Sequence, residues 1–441
     1  MKKTITYLIL AISILTLTAC AGSAAASVGV NSADVAVTNP EAEVATSTLE
    51  VAATPEVDYD PEDLDTSPVD ADGSTLIQLN GDSITVDGSG ATADGSIVTI
   101  SAAGTFQVSG TLDDGQIIVD TADAENVTLI LADVDITSQS SAPICVANAE
   151  KVILTLVVGS KNFVTDSDAY LALDESGEPN AAIFSKDDLT INGEGALTVN
   201  ASYNNGIASK DDLKITGGTI TVNAVNDGIK GKDSVAINDG VLTINAGGDG
   251  IQSTNADESE KGYVAIEGGT LVITAGLDGV QAETSLLVSS GTLDITTGGG
   301  SVSSATGGGF GGRGMEGNAN QTEESVKGLK AGVDLTISGG AITISALDDA
   351  LHSDTTLTIN GGDIEAASGD DGVHAETALT INGGTLNITE SYEGLESQII
   401  TINDGTIHLM ASDDGINAAN GGMGGFGNSN NYVYIHGGYL Y

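Results

Sequence analysis

The sequence predicts an all-β fold, a parallel β-helix with about 22 residues and three short strands in each rung. Three observations predict it. Gly206, Gly228 and Gly250 are spaced 22 residues apart, and after one long insertion so are Gly328, Ala350, Gly372 and Gly394, with Gly415 following at 21. A fixed period of roughly 20 residues marks one supersecondary unit stacked on copies of itself. Within each period, aliphatic residues alternate with polar ones in short runs, the period-2 signature of strands buried on one face. Asn-Gly-Gly punctuation, as in Asn360-Gly361-Gly362 and Asn382-Gly383-Gly384, calls for turns with positive φ.

Each strand can be placed from the inward residues. One strand carries Leu189/Ile191, Leu213/Ile215, Val235/Ile237, Leu335/Ile337, Leu357/Ile359 and Leu379/Ile381. Another carries Leu197/Val199, Ile220/Val222, Leu242/Ile244, Ile342/Ile344 and Leu386/Ile388. The third is the short phrase after the beat glycine, with Ile207, Ile229, Ile251, Val280, Leu329, Leu351, Val373, Leu395 and Ile416 pointing in. Thr lies between many of these on the outer face, where β-branched residues suit a strand. Rungs so built stack at the interstrand spacing of about 4.8 Å. A leucine-rich horseshoe has a similar period, but its Leu-rich strand phrase and helical return are missing. The period also excludes the Gly-rich nonapeptide calcium repeat.

The two ends add an address. Lys2 and Lys3 precede the apolar run Leu8–Leu15, too short to span a bilayer as a mature helix, and Leu17-Thr18-Ala19-Cys20 looks like a bacterial lipobox. Residues 1–20 are therefore expected to be a lipoprotein signal peptide, with Cys20 lipidated and the protein anchored to the membrane at the cell surface. Only Cys145 then remains, which leaves no intrachain disulfide and makes a buried structural thiol its expected role. Residues 21–73, rich in Ala, Ser, Thr, Pro, Asp and Glu, read as a disordered acidic linker. Residues 74–181 alternate less regularly and are expected to form irregular rungs and a cap, with the regular β-helix over 182–441. Gly-rich stretches at 298–321 and 419–430 are too long for rung turns and should bulge out as loops. The final Gly437-Gly438-Tyr439-Leu440-Tyr441 aligns with Gly383-Gly384-Thr385-Leu386-Asn387, so the chain is expected to be truncated within a strand.

With 62 acidic against 13 basic residues and a formal charge of −49, the chain is excluded as a nucleic-acid binder, since phosphate binding needs a basic surface. Such a balance fits a protein that holds cations, or one kept soluble outside the cell by charge. A monomer is expected. There is no Trp, so stacking platforms of the usual sugar-binding kind are not expected.

A solenoid repeats its surface chemistry, so a residue at one beat position becomes a row. The position before each beat glycine is Asn205, Asp227, Asp249, Asp278, Lys327, Asp349, Asp371, Glu393 and Asp414, doubled in places by Asp348, Asp370 and Asp413. Carboxylates stacked at rung spacing repel unless a cation intervenes. Ca²⁺ suits them, because it accepts six to eight oxygens in flexible geometry. The same acids could instead form a ladder that caps turn amides. Asp187-Asp188 and Asp211-Asp212 are weaker candidates in another turn. Two residues past the glycine runs a second row, Ala208, Lys230, Gln252, Gln281, Lys330, His352, His374, Glu396 and Asn417. Alternation points it outward, and its pitch suits an extended polysaccharide; a merely solvated face is the alternative. His408 and His436 stand apart on other strands and read as surface residues.

The phrases Ala182-Ile183-Phe184-Ser185-Lys186-Asp187-Asp188-Leu189-Thr190-Ile191-Asn192-Gly193, Asn205-Gly206-Ile207-Ala208-Ser209-Lys210-Asp211-Asp212-Leu213 and Asp227-Gly228-Ile229-Lys230-Gly231-Lys232-Asp233 resemble the carbohydrate-binding-domain proteins of anaerobic Gram-positive bacteria. The resemblance runs from about residue 74 to the end. It implies a right-handed parallel β-helix, bound calcium, and similarity to calcium-dependent polysaccharide lyases. It also implies a cell-surface protein that binds cellulose or acidic sugars.

The expected function is therefore a non-catalytic binder of plant cell-wall polysaccharide, cellulose or acidic pectin-like sugar. Calcium would bridge acidic sugars to the Asp column, since a chain of charge −49 repels them directly. The alternative is a calcium-dependent lyase acting on uronate polymers. β-Elimination needs calcium to acidify the α-proton and a free base, for which Lys230 and Lys330 are positioned. A structural adhesin stalk is the third reading.

Overall fold

The computed structural model describes residues 55–65, 73–171, 173–174, 176–301, 325–419 and 431–441. The signal segment with Cys20, most of the 21–73 linker and most of both Gly-rich stretches lie outside the described residues. The described residues contain strands and turns and no helix.

The strands fall on three faces of a parallel β-helix, visited in the same order on every rung. Face A holds the short strands after the beat glycine, Asn205–Ser209, Ile229–Gly231, Ile251–Ser253 and their successors. Face B holds Asp212–Ile215, Ser234–Ile237, Tyr263–Ile266 and those above them. Face C holds Thr219–Ala224, Val241–Ala246, Thr270–Ala275 and onward. Each strand pairs in parallel with the strand one rung away. On face A the register runs unbroken through Ile207, Ile229, Ile251, Val280, Leu329, Leu351, Val373, Leu395 and Ile416. The insertions after Ile251 and Val280 leave this register intact, because they leave between strands. A one-residue slip would turn every aliphatic outward, so the buried row itself fixes the pairing.

The core is a stack of these aliphatics from all three faces in one continuous cluster. Burying each Ile, Leu or Val side chain contributes on the order of 1.5–3 kcal/mol. The turn from face B to face C is where positive φ is needed. Gly362, Gly384 and Gly405 adopt φ of +99°, +88° and +115° there. Before the regular rungs, Thr75–Gly81 pairs antiparallel with Ile84–Asp87, and Ala91–Asp94 antiparallel with Ile97–Ile100. The long strand Val127–Ser138 bends from face B to face C at Asp133, the one described non-glycine residue with positive φ.

Residues 58–65 depart from the reading of 21–73 as a disordered linker. They lie along the outside of face B and cross several rungs. Asp63 is fully buried, with Lys151 Nζ at 2.6 Å, the Thr190 hydroxyl donating at 2.7 Å and Lys214 Nζ at 3.5 Å. Lys214 donates to the Asp58 carbonyl at 2.7 Å, and the Tyr59 hydroxyl donates to Glu267 at 2.8 Å. Low hydrophobicity suggested that this segment could not fold. It is held instead by a buried ion pair and amide contacts from Asn192, which compositional reasoning does not see.

Candidate functional site

The two predicted rows meet at one edge of face A as a double ladder. Five column acids, Asp227, Asp249, Asp278, Asp349 and Asp371, lie buried in the turns before face A strands. One oxygen caps the next rung. Asp227 Oδ1 accepts from the Asp249 amide at 3.1 Å, Asp249 Oδ1 from the Asp278 amide at 2.9 Å, and Asp278 Oδ1 from the Lys327 amide at 2.7 Å. Asp349 Oδ1 does the same for the Asp371 amide at 3.0 Å. The other oxygen reaches an outward residue, three positions later on the same rung for Asp227 and Asp249, and on the following rung for Asp278 and Glu393. Lys230 Nζ is 2.9 Å from Asp227 Oδ2, and Lys330 Nζ is 3.3 Å from Asp278 Oδ2. Gln252 donates to Asp249 Oδ2, and Asn417 donates to Glu393 at 2.7 Å.

The outward row lies in strict register. Lys230 pairs with Gln252, Gln252 with Gln281, Gln281 with Lys330, Lys330 with His352, His352 with His374, His374 with Glu396 and Glu396 with Asn417. The sequence treated column and row as separate features. Their three-residue separation in the Asp-Gly-aliphatic-polar phrase was the available signal that they share hydrogen bonds. The row is also less free than expected. Its side chains fold back onto the column and are half-buried, with His352 only 8% exposed.

The histidines form the densest part. His352 Nδ1 lies 2.8 Å from Asp349 Oδ2, and its Nε2 lies 2.9 Å from Asp354 Oδ1. His374 Nδ1 lies 3.2 Å from Asp371 Oδ2 and 3.7 Å from Asp349 Oδ2. The two rings meet edge to face with centroids 4.9 Å apart. Burial alone would lower the His374 value, but the carboxylates of Asp371 and Asp349 outweigh it and carry it up to about 9.

Unbalanced carboxylates stand elsewhere. Burial, then the charges of Asp278 and Asp227, push Asp249 up to about 7. Burial and the neighbouring Asp349 and Asp348 raise Asp370 to about 6. Of the nine acids expected to hold calcium, Asp348, Asp349 and Asp370 gather their oxygens within 4.8 Å of one another. Lys327 already stands there, 3.4 Å from Asp349 Oδ2 and bonded to Asp348. Asp227, Asp249 and Asp278 do not join such a group; the amide-capping ladder accounts for them. Asp413 and Asp414 are exposed and join none either. The weaker pair of turns also converges: Asp188, Asp211 and Asp212 place their oxygens within 4.8 Å of one another, and no ammonium among the described residues lies within ion-pair distance of them. Burial and a shared hydrogen bond with Asp233 raise Asp211 to about 7. This donor set of carboxylate oxygens fits a hard dication.

Lys230 and Lys330 both donate into column acids, so neither stands as a free amine beside an open site. Cys145 has its thiol pushed up to about 11 by burial, which leaves it inert as a nucleophile. On face C, His408 is an exposed surface residue, as expected, and its Nδ1 lies 3.0 Å from Asn387 Oδ1 in a depression shared with Glu365.

Residues 94–372 match the family described as "Carbohydrate-binding domain-containing protein". A curated protein of that description from Acetivibrio thermocellus is 49% identical over 128 residues, 29% of this chain and 45% of the relative. The aligned region thus spans under half of that relative's length. A solved structure, the gadolinium derivative of a polysaccharide lyase-like protein from C. thermocellum, is similar with a TM-score of 0.50 and 42% identity. The likeness covers 51% of this chain and 92% of that one.

Proposed function

Because this chain belongs to the carbohydrate-binding domain-containing protein family, we propose that it is a cell-surface binder that lays an extended polysaccharide along the face A row. Calcium in the oxygen-only carboxylate groups serves as structural and bridging ion, and Cys20 tethers the protein to the membrane. The observation that carries the reading is the unbroken register from Lys230 to Asn417, a line of hydrogen-bonding side chains repeating at the strand spacing of about 4.8 Å. Lys230, Gln252, Lys330, His352, His374 and Asn417 are each held by a column acid, and Gln281 by Gln252, so the row is preorganised and little rotamer entropy remains to be lost on binding.

The net charge argues for the cation. A chain of −49 repels uronate polymers, and a dication shared between protein and sugar carboxylates reverses the sign locally. Asp188, Asp211 and Asp212 supply the protein half of such a bridge, and Asp348, Asp349 and Asp370 a second.

A glycan array probed with the soluble chain in calcium tests the reading. Plant cell-wall polysaccharides should be retained, and Gln281→Ala should weaken retention without lowering the melting temperature. An array with no retained glycan would leave the stalk reading in its place. The tether is tested separately: Cys20→Ala should release the protein from membranes into the medium.

A further inference from the structure

We infer that Asp349, His352 and His374, closed by Asp371 and Glu396, form a site for a borderline divalent transition-metal ion of the zinc type, which shares Asp349 with the oxygen-only group. The ligand atoms of Asp349, His352 and His374 lie within 4.8 Å of one another, as do those of Asp371, His374 and Glu396. Both histidines turn Nδ1 toward the carboxylates. Their N···O separations to Asp349 and Asp371 are 2.8, 3.2 and 3.7 Å. Imidazole nitrogen and carboxylate oxygen bind Zn²⁺ at about 2.0–2.2 Å, which places ligand atoms about 3–3.5 Å apart around the ion. Small side-chain shifts therefore bring these atoms onto one metal.

A second observation points the same way. Metal-bound histidines generally give their other ring N–H to a carboxylate or carbonyl, which fixes the tautomer and orients the ring. Here the outer nitrogen of His352 lies 2.9 Å from Asp354 Oδ1, and that of His374 lies 3.8 Å from Glu376 Oε1. Both rings thus sit between an inner ligand and an outer carboxylate.

The donor set decides the class of ion. Two imidazoles with carboxylates suit Zn²⁺, Ni²⁺ or Cu²⁺, whereas Ca²⁺ prefers oxygen alone. Asp349 also belongs to the oxygen-only group with Asp348 and Asp370, and Lys327 Nζ lies 3.4 Å from its Oδ2. A metal entering from the histidine side displaces that ammonium, which keeps Asp348 as partner. The two kinds of ion then compete for Asp349.

The test uses the full chain without a polyhistidine tag, stripped by chelator and titrated calorimetrically with Zn²⁺ alone, in the absence of sugar. About one ion per chain should bind, and millimolar Ca²⁺ should weaken but not abolish binding. His352→Ala/His374→Ala should lower Zn²⁺ affinity at least tenfold, while His408→Ala leaves it unchanged. Asp354→Asn, which touches no metal, should lower affinity severalfold through His352 and keeps the test alive if the double variant misfolds. Co²⁺ substituted for Zn²⁺ should give visible bands that the double variant lacks. Absence of Zn²⁺ binding, or equal binding by the wild type and a folded double variant, overturns the inference. Sugar retention plays no part in any of these outcomes, so the metal site and the carbohydrate reading fail independently.

Discussion

Ala350 stands where the other regular rungs carry a beat glycine, and Ala366 stands on face C where they carry Ile, Val or Leu. The two exceptions fall on the same rung. A Cβ built on Gly228 would lie 2.4 Å from Ile244 Cγ2 and 2.7 Å from the Gly250 carbonyl oxygen, and one on Gly328 would lie 2.5 Å from Ile344 Cγ2 and 2.4 Å from the Ala350 carbonyl oxygen. Ala366 is in register between Ile344 and Ile388, so the missing methyls make room for the Ala350 Cβ. Both residues are fully buried. The glycine beat is thus a packing rule, in which the inward aliphatic of face C and the carbonyl oxygen of the following rung together fill the space that a Cβ would need.

This relationship gives a stability prediction. Gly228→Ala should destabilise the fold by about 1–3 kcal/mol through overpacking. Ile244→Ala in the same chain should relieve the side-chain part of the clash, leaving the Gly250 carbonyl oxygen, so the double variant loses less than the sum of the two singles. Ala366→Ile should be destabilising alone and rescued by Ala350→Gly. Urea melts measure all of these; strict additivity would refute the packing rule.

The buried ion pair under residues 58–65, a strap across face B, gives another. Asp63→Asn leaves Lys151, 4% exposed, without its closest carboxylate, and should cost on the order of 3–5 kcal/mol. Combining it with Lys151→Met should recover much of the loss. A strap docked only loosely would show a small effect for Asp63→Asn and no recovery.

The fold was legible because the periodicity is strong and repeated. Three strand signals, the beat and the Asn-Gly-Gly turns all agreed, and the register of Ile207 through Ile416 followed from them. The strap was not legible, since Asp63 and Lys151 pair across a long stretch of sequence with no local pattern. The site was half legible. Column and row were visible as residue types at a fixed spacing, but their mutual hydrogen bonding depends on how a turn aims two side chains. Convergence of Asp188, Asp211 and Asp212 needed the stacking of adjacent turns, which a single rung does not reveal.

Asp249 predicts an unusual pH dependence. Its folded value of about 7 lies above its ordinary 3.8, so the folded chain holds a proton that the unfolded chain releases between those limits. The stability this group contributes is fully present below about pH 4 and lost as the pH rises through 7. Asn at 249 can still cap the Asp278 amide without the charge. In chelator, Asp249→Asn should melt close to the wild type at pH 5 and above it at pH 8. A difference that does not change with pH would show that Asp249 titrates normally.

The ion pairs of Lys230 and Lys330 predict an absence of lyase chemistry. Polygalacturonate incubated with the protein and calcium should give no rise in unsaturated-uronate absorbance. A rise that Lys230→Ala abolishes would make the chain an enzyme and assign that lysine as its base.

Retention on immobilised polygalacturonate tests the central claim, a polysaccharide held along face A through bridging calcium, most directly. The wild type should be retarded in millimolar calcium and released by chelator, and Asp211→Asn/Asp212→Asn together with Gln281→Ala should abolish the retardation while the chain stays folded. Equal retention with calcium and with chelator, or full retention by that variant, would contradict it.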